Sequence, residues 1–254
     1  MKRLFLGCLC ILLLIFCVSA LAVEPDPETA DKMGLNTLND VDPAVREEWI
    51  DSIIALAEKL YDKANGKLQR AHYSSDIYVC KNFTVHLFKN TAGRYRMAQY
   101  PGTRLVIPNN KSKEDCAPYR YGLEWADKSA KDGNPFFEAA RFRYDESLSE
   151  EQNRLNAVVF MTNVQKGDFF QMSADYEFGQ GAHSLVFISD YDPSTHQVHW
   201  TDSNMAGKSI NGERYGYVQF NAEKEIDFFV DAICHKKRGA TLYRLRYDIV
   251  RASN

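Results

Sequence analysis

The chain has 254 residues, 45% of them hydrophobic, and its 31 basic and 34 acidic side chains leave a net charge of -3. This length and apolar content suffice for one sizeable hydrophobic core. The near-balance of charge, with no long basic run, argues against nucleic acid as a partner.

The N-terminal segment has the features of a secretory signal. Lys2 and Arg3 precede an apolar stretch at 4–18, and residues 19–22 supply a cleavage site that is rich in small side chains. The apolar stretch is shorter than the roughly 20 residues that span a bilayer. We therefore predict a signal peptide at 1–22 and a secreted or periplasmic (cell-envelope) protein that has no membrane contact after signal removal. A retained N-terminal anchor is the alternative.

Three cysteines remain after the predicted cleavage: Cys80, Cys116 and Cys234. An odd number of cysteines in an oxidising compartment favours one free thiol with at most one disulfide. One interpretation is a Cys116–Cys234 bridge with Cys80 free, and the other is three buried thiols.

The first predicted elements are a leader and two helices. Residues 23–42 are polar and acidic, which suggests a flexible leader. Apolar residues at helical spacing predict a helix over Pro43–Ala64, with Asp42 as its N-cap. A second amphipathic helix is predicted to begin near 78–79, so that Cys80 falls in its first turn.

The middle of the chain is predicted to be a large insertion. Turn signals interrupt the segment from about 91 to 153, for which we expect short helices. Its end overlaps a further predicted helix over Ser147–Met161, capped by Ser147 or Ser149.

The last third of the chain changes to strand character. Ala222–Ile233 is predicted to be a helix before the final strand. Helices followed by paired strands indicate an α+β fold, with N-terminal helices packed on an antiparallel sheet of five or six strands and one domain over 43–254. The predicted strands are Asp168–Ser173, Ser184–Ser189, Gln197–Thr201, Tyr215–Phe220 and Thr241–Ile249.

A thiol, an imidazole and a short polar side chain, in that order along the chain, form the minimum set for thiolate catalysis. A helix N-terminus and an imidazolium both lower the pKa of a thiol below its usual ~8.5. Cys80 at the helix start would lie at the helix N-terminus. His183 at the start of an apolar strand would supply the imidazolium and act as general acid. Asn204 or Asp202, on the next strand, would orient the imidazole.

These residues resemble the papain-like cysteine hydrolases of the NlpC/P60 and CHAP group, which mostly cut amide bonds in bacterial cell walls. The resemblance covers roughly 44–90 and 160–250 and leaves the central insertion unaccounted for. The segments that carry it are Cys80-Lys81-Asn82-Phe83-Thr84 (similar to a Cys-x-x-Phe/Leu-Val helix start), Gly167-Asp168 (a Gly-Asp strand), Gly181-Ala182-His183 (a Gly-His strand) and Asp202-Ser203-Asn204 (the Glu-x-Asn of CHAP domains).

The resemblance implies a fold, an activity and a role for each site residue. It implies a papain-like NlpC/P60 fold with a central insertion and a secreted cysteine amidase or peptidase that acts on a peptide or on peptidoglycan. Cys80 would be the nucleophile, His183 the general base and acid, and Asn204 or Asp202 the orienting residue. No cofactor or metal is implied, and we expect a monomer.

The chain departs from this group of families at three points. Val79 stands where an Asp or Gln usually precedes the nucleophile, Ala182 separates Gly181 from His183, and no glutamine or other obvious oxyanion donor lies just upstream of the cysteine. Tyr73 and Tyr78 are the candidates for that donor.

Other interpretations of the same residues stay open. The protein could be a catalytically inert secreted binding protein on the same fold. A zinc site from His183, His196, His199 and Asp202 lacks a Cys-x-x-Cys or His-Glu-x-x-His pattern. In the insertion, Phe136 and Phe137 are the first candidates for a substrate-binding wall.

Overall fold

A computed structural model describes residues 26–70, 78–108, 129–172, 183–234 and 239–253. The predicted signal peptide at 1–22, Tyr73 and Cys116 lie outside these ranges. Within them, no helix is both long and apolar enough to cross a membrane.

The described residues form five α-helices, three short 3-10 helices and nine β-strands. The α-helices are α1 (Pro27–Met33), α2 (Pro43–Ala64), α3 (Cys80–Thr91), α4 (Glu150–Met161) and α5 (Asp227–Cys234). The 3-10 helices are Leu35–Asp40, Ala92–Arg94 and Ala130–Asp132. The strands are β1 (Gln69–Arg70), β2 (Tyr95–Met97), β3 (Phe136–Arg143), β4 (Phe169–Met172), β5 (His183–Phe187), β6 (Gln197–Ile210), β7 (Glu213–Glu225), β8 (Gly239–Leu245) and β9 (Ile249–Arg251).

Seven strands pair antiparallel into one sheet in the order β1-β7-β6-β5-β4-β8-β3, and β2 pairs with β9 separately. The α+β layout, with N-terminal helices packed on an antiparallel sheet, is therefore confirmed. The expected five or six strands were too few, because β1 is a two-residue edge strand and β3 lies inside the predicted insertion. Short helices alone were the wrong expectation there, since Phe136–Arg143 pairs along β8.

Helices cover both faces of the sheet, and neighbouring residues of β4 show the division. Phe169 belongs to the core on the side of α2 and α3, where its ring stacks on Tyr243 at 5.8 Å. Phe170 belongs to the core on the side of α4 and α5, where it meets Phe229 edge-on at 5.7 Å. Side chains alternate along a strand, so β4 supplies one fully buried ring to each core.

The predicted helix starts hold to within a few residues. α2 spans Pro43–Ala64 as predicted, and the Asp42 carboxylate accepts the Ala44 N–H at 2.9 Å. α4 begins at Glu150 with Ser149, not Ser147, as its N-cap. α5 begins later than expected, because β7 extends to Glu225.

A buried arginine accounts for two further differences from the sequence prediction. The expected strand over 241–249 is two strands, β8 and β9, and between them the fully buried Arg246 pairs with Asp248 at 2.8 Å. The same guanidinium donates to the carbonyls of Asp31 and Lys32 at 2.7 and 2.8 Å. The segment expected to be a flexible leader therefore contains α1, docked by its C-terminal end against the chain between β8 and β9.

Asp168, at the start of β4, forms a second buried ion pair. Its carboxylate accepts hydrogen bonds from Nε and a terminal nitrogen of Arg244, both at 2.8 Å, and a third from the Gln165 N–H at 2.9 Å. The preceding Gly167 has φ +88°, and a Cβ there would lie 2.8 Å from Ile50. In this chain the Gly-Asp pair therefore has a structural role.

Asp168→Ala should lower the free energy of unfolding by about 3–5 kcal/mol, because it leaves the Arg244 charge buried without its partner. Asp51→Ala is the matched control, since it removes a surface ion pair whose Asp51 side chain is 64% exposed; the expected loss is below about 1 kcal/mol. Urea denaturation of both variants measures the difference. Equal losses would contradict a structural role for the Asp168–Arg244 pair.

Candidate functional site

Cys80 lies in the first turn of α3, as predicted, although the helix begins at Cys80 itself and not at 78–79. Val79 before it is extended (φ -119°, ψ 134°), and the first helical hydrogen bond joins the Phe83 N–H to the Val79 carbonyl at 2.9 Å. The positive end of the helix dipole therefore lies at the thiol. The helix is held in place by its apolar face, from which Phe83, Leu87 and Phe88 are fully buried.

The chain entering α3 lies directly on strand β7. A Cβ at Gly216 would be 2.2 Å from the Tyr78 carbonyl oxygen and 3.1 Å from the Asn204 carbonyl oxygen. Only a residue without a side chain permits this approach of two backbones. Gly216 thereby determines how closely the residues before Cys80 lie to the sheet.

His183 lies between the thiol and a buried carboxylate. It is the first residue of β5, and its Nε2 hydrogen-bonds to Oδ2 of Asp202 on β6 at 2.6 Å. The imidazole also interacts with the Cys80 thiol, an interaction that contributes to raising the pKa of His183. Three elements, α3, β5 and β6, thus bring together the predicted nucleophile Cys80, the predicted base and acid His183, and one candidate orienting residue, Asp202.

Of the two candidates for the orienting residue, Asp202 is the one that contacts His183. Asn204 instead donates from Nδ2 to Oδ2 of Asp202 at 3.1 Å. Asp202 is 2% exposed, and its Oδ1 has no hydrogen-bond partner among the described residues. Both contacts of the carboxylate therefore converge on Oδ2, and Asn204 acts on the imidazole only through Asp202.

The contacts of the thiol and the imidazole favour their charged forms. Burial opposes both charges, but the hydrogen bonds to Asp202 and Cys80, and the charges of these two groups, raise the pKa of His183 to about 10. Burial likewise opposes the Cys80 thiolate, but His183 and the N–H groups of Ser184 and Lys81 outweigh it and lower the pKa of the thiol. The site therefore favours a thiolate–imidazolium pair.

The two other histidines of the considered zinc site, His196 and His199, make other contacts. His196 Nδ1 pairs with the Tyr191 hydroxyl at 2.8 Å, and His199 Nδ1 pairs with Asn221 Oδ1 at 2.9 Å. Within the described ranges, no group of three or more His, Cys, Asp or Glu side chains could hold a metal ion.

Several other candidates from the sequence lie away from this site or serve packing. Phe136 and Phe137 are buried in β3, which β4 and β8 separate from β5, so they form no substrate wall beside His183. Tyr78 packs against the core beside α2 and α3. Cys234 is a free thiol among the described residues, and Cys116, the partner considered for it, lies outside them.

Two features of the site were missed in the sequence. Gly216 stands between Tyr215 and Tyr217 inside a strand, and such an isolated glycine indicates a close backbone approach, so this signal was available. Gln171, one residue before the end of β4, carried no such signal, because its contacts with the His183 carbonyl and the Ser184 hydroxyl depend on β5 lying beside it.

No protein-family model matches the chain, and comparisons with curated proteins and with solved structures also found no match. The assignment of a function therefore depends on the geometry of Cys80, His183 and Asp202.

Gly216→Ala should slow alkylation of Cys80 at mildly acidic pH by about tenfold or more, because the Tyr78–Cys80 segment must move away from β7 and the thiol leaves the imidazole. The measurement is the rate of iodoacetamide labelling at Cys80, read by peptide mapping. Gly93→Ala is the control, since a Cβ there meets nothing within 4 Å. A folded Gly216→Ala protein that labels at the unsubstituted rate would refute this role of Gly216.

Proposed function

We propose that the protein is a secreted cysteine hydrolase that cleaves amide bonds through a Cys80 thiolate. The observation that carries the proposal is the hydrogen bond of His183 to the buried Asp202 at 2.6 Å, together with the interaction of the same imidazole with the Cys80 thiol, which lowers the pKa of the thiol. A structural cysteine needs only an apolar environment. Here the thiol lies at a helix N-terminus and beside an imidazole that is itself oriented by a carboxylate, which are the conditions that activate a thiol nucleophile.

The geometry supports a two-stage mechanism. The Cys80 sulfur attacks the carbonyl carbon of the substrate, and the Cys80 N–H at the first turn of α3 is placed to donate to the resulting oxyanion. The imidazolium of His183 gives its proton to the leaving amine, the C–N bond breaks, and an acyl-thioester remains. His183 then takes a proton from water, which attacks the thioester, and collapse releases the acid and the thiolate.

Asp202 has a separate task in this mechanism. Its hydrogen bond to Nε2 fixes the orientation of the imidazole, and its charge stabilises the imidazolium throughout the first stage. Asn204 restrains the same carboxylate oxygen. We therefore assign Asp202 as the third member of the site and Asn204 as a support for it.

For the substrate we propose peptide amide bonds, with peptidoglycan stem peptides and cross-bridges as the first class to test. The support is the order of elements: a nucleophile at a helix start, then an antiparallel strand that follows Gly167-Asp168 and one that begins with His183, as in the NlpC/P60 and CHAP group that the sequence resembles. Mass spectrometry of products from peptidoglycan and from short peptides identifies the bond that is cut.

Iodoacetamide should label Cys80 at mildly acidic pH, well below the ordinary thiol pKa of ~8.5, and should leave Cys234 unmodified. The internal control is informative because burial raises the pKa of Cys234 whereas His183 contributes to lowering that of Cys80. Cys80→Ala should abolish hydrolysis, and Cys234→Ala should retain it. If both thiols titrate near the ordinary value, the protein is an inert binding protein and not a hydrolase.

Asp202→Asn should narrow the pH profile of kcat/KM from its alkaline side. Loss of the carboxylate charge lowers the pKa of His183 from about 10 toward its ordinary 6.5, so the alkaline limb moves to lower pH. The same loss of negative charge favours the Cys80 thiolate, so the acid limb does not move to higher pH. Asn204→Ala, which leaves the His183–Asp202 bond in place, should move the alkaline limb less. The reverse order of effects would make Asn204 the orienting residue.

A further inference from the structure

Gln171 is a buried polar residue on β4 that the proposed mechanism does not use. It is 2% exposed and lies opposite Ser184 in the β4–β5 pairing. Its Nε2 donates to the His183 carbonyl at 3.2 Å and to the Met172 carbonyl at 2.9 Å. Its Oε1 accepts a hydrogen bond from the Ser184 hydroxyl at 2.6 Å, so both ends of the amide are engaged.

These contacts converge on a single peptide plane. The His183 carbonyl and the Ser184 N–H belong to the same peptide unit, which is planar and trans, so its oxygen and its hydrogen point in opposite directions. Gln171 holds the oxygen, and hydrogen bonding by the N–H on the other side contributes to lowering the pKa of the Cys80 thiol. The Ser184 hydroxyl attaches the residue after this plane to the same glutamine.

We propose that Gln171 is a positioning residue that orients the His183–Ser184 peptide so that its N–H faces the Cys80 sulfur. The inference rests on the proposed function of the Cys80–His183 pair. A donor at the carbonyl end of an amide also strengthens hydrogen bonding by its N–H. Gln171 would thereby stabilise the negative charge on the sulfur without touching either the sulfur or the substrate.

The competing explanation is that Gln171 and Ser184 are only a buried cross-strand pair that stabilises the sheet. Such a pair would change the stability of the protein when it is removed and would leave the charge state of Cys80 alone. The discriminating readout is therefore the pH dependence of Cys80 alkylation in the folded protein.

Gln171→Met retains an unbranched side chain but removes the donor and the acceptor, and Ser184→Ala removes only the hydroxyl. Gln171→Met should move the alkylation profile of Cys80 to higher pH and slow labelling at mildly acidic pH by about two- to tenfold, the effect of one hydrogen bond. Ser184→Ala should also move the alkylation profile of Cys80 to higher pH, but by a smaller amount. Thr241→Val is the control, because Thr241 lies opposite Gln171 on β8 and is equally buried.

Unchanged alkylation profiles in folded Gln171→Met and Ser184→Ala would overturn the proposal, as would an equal shift in Thr241→Val. If Gln171→Met does not fold, Ser184→Ala decides alone by the same criterion. An ordinary thiol pKa in the unsubstituted protein would overturn the hydrolase proposal together with this one. A lowered pKa of the Cys80 thiol that neither Gln171→Met nor Ser184→Ala alters would overturn only the proposed role of Gln171.

Discussion

The packing of α3 against the sheet is the interaction on which the site depends. The ring of Phe88 meets Phe136 edge-on at 4.8 Å and Phe169 at 6.2 Å, and Phe83 is fully buried at the start of the helix. Because these side chains fix the helix against the strands, its N-terminus can lie at one place only, beside the start of β5. Cys80 is therefore positioned by the hydrophobic core and not by a loop.

The parts of this arrangement that were predictable are those with local signals. The spacing of apolar residues and the Asp42-Pro43 pair define α2, and the change from helical to alternating spacing separates α3 from the strands. The order of residues along the chain indicated that Cys80 and His183 form a pair. The third residue stayed ambiguous because Asp202 and Asn204 are two apart on one strand, so both point to the same side, and only distances distinguish them.

The features that were not predictable depend on contacts between distant segments. Phe136–Arg143 is a strand because β8, about a hundred residues later, supplies its hydrogen bonds, and no local pattern reveals that pairing. α1 is docked because the Arg246 guanidinium reaches the carbonyls of Asp31 and Lys32. Gln171 looks like an ordinary strand residue until β5 is beside it. In each case the partner is remote in sequence, and composition alone cannot identify it.

The charges of the site explain why the helix start and the carboxylate belong together. With the thiolate, the imidazolium and the carboxylate all charged, the mostly buried cluster carries one net negative charge. The dipole of α3 and the N–H groups of Lys81 and Ser184 offset that charge at the sulfur, and Asn204 offsets it at Asp202. The thiolate raises the proton affinity of the imidazole, and the imidazolium lowers the proton affinity of the sulfur. The two groups therefore titrate as a pair. A change at either end of this cluster, at Asp202 or at the peptide that faces the sulfur, must therefore appear in the titration of both.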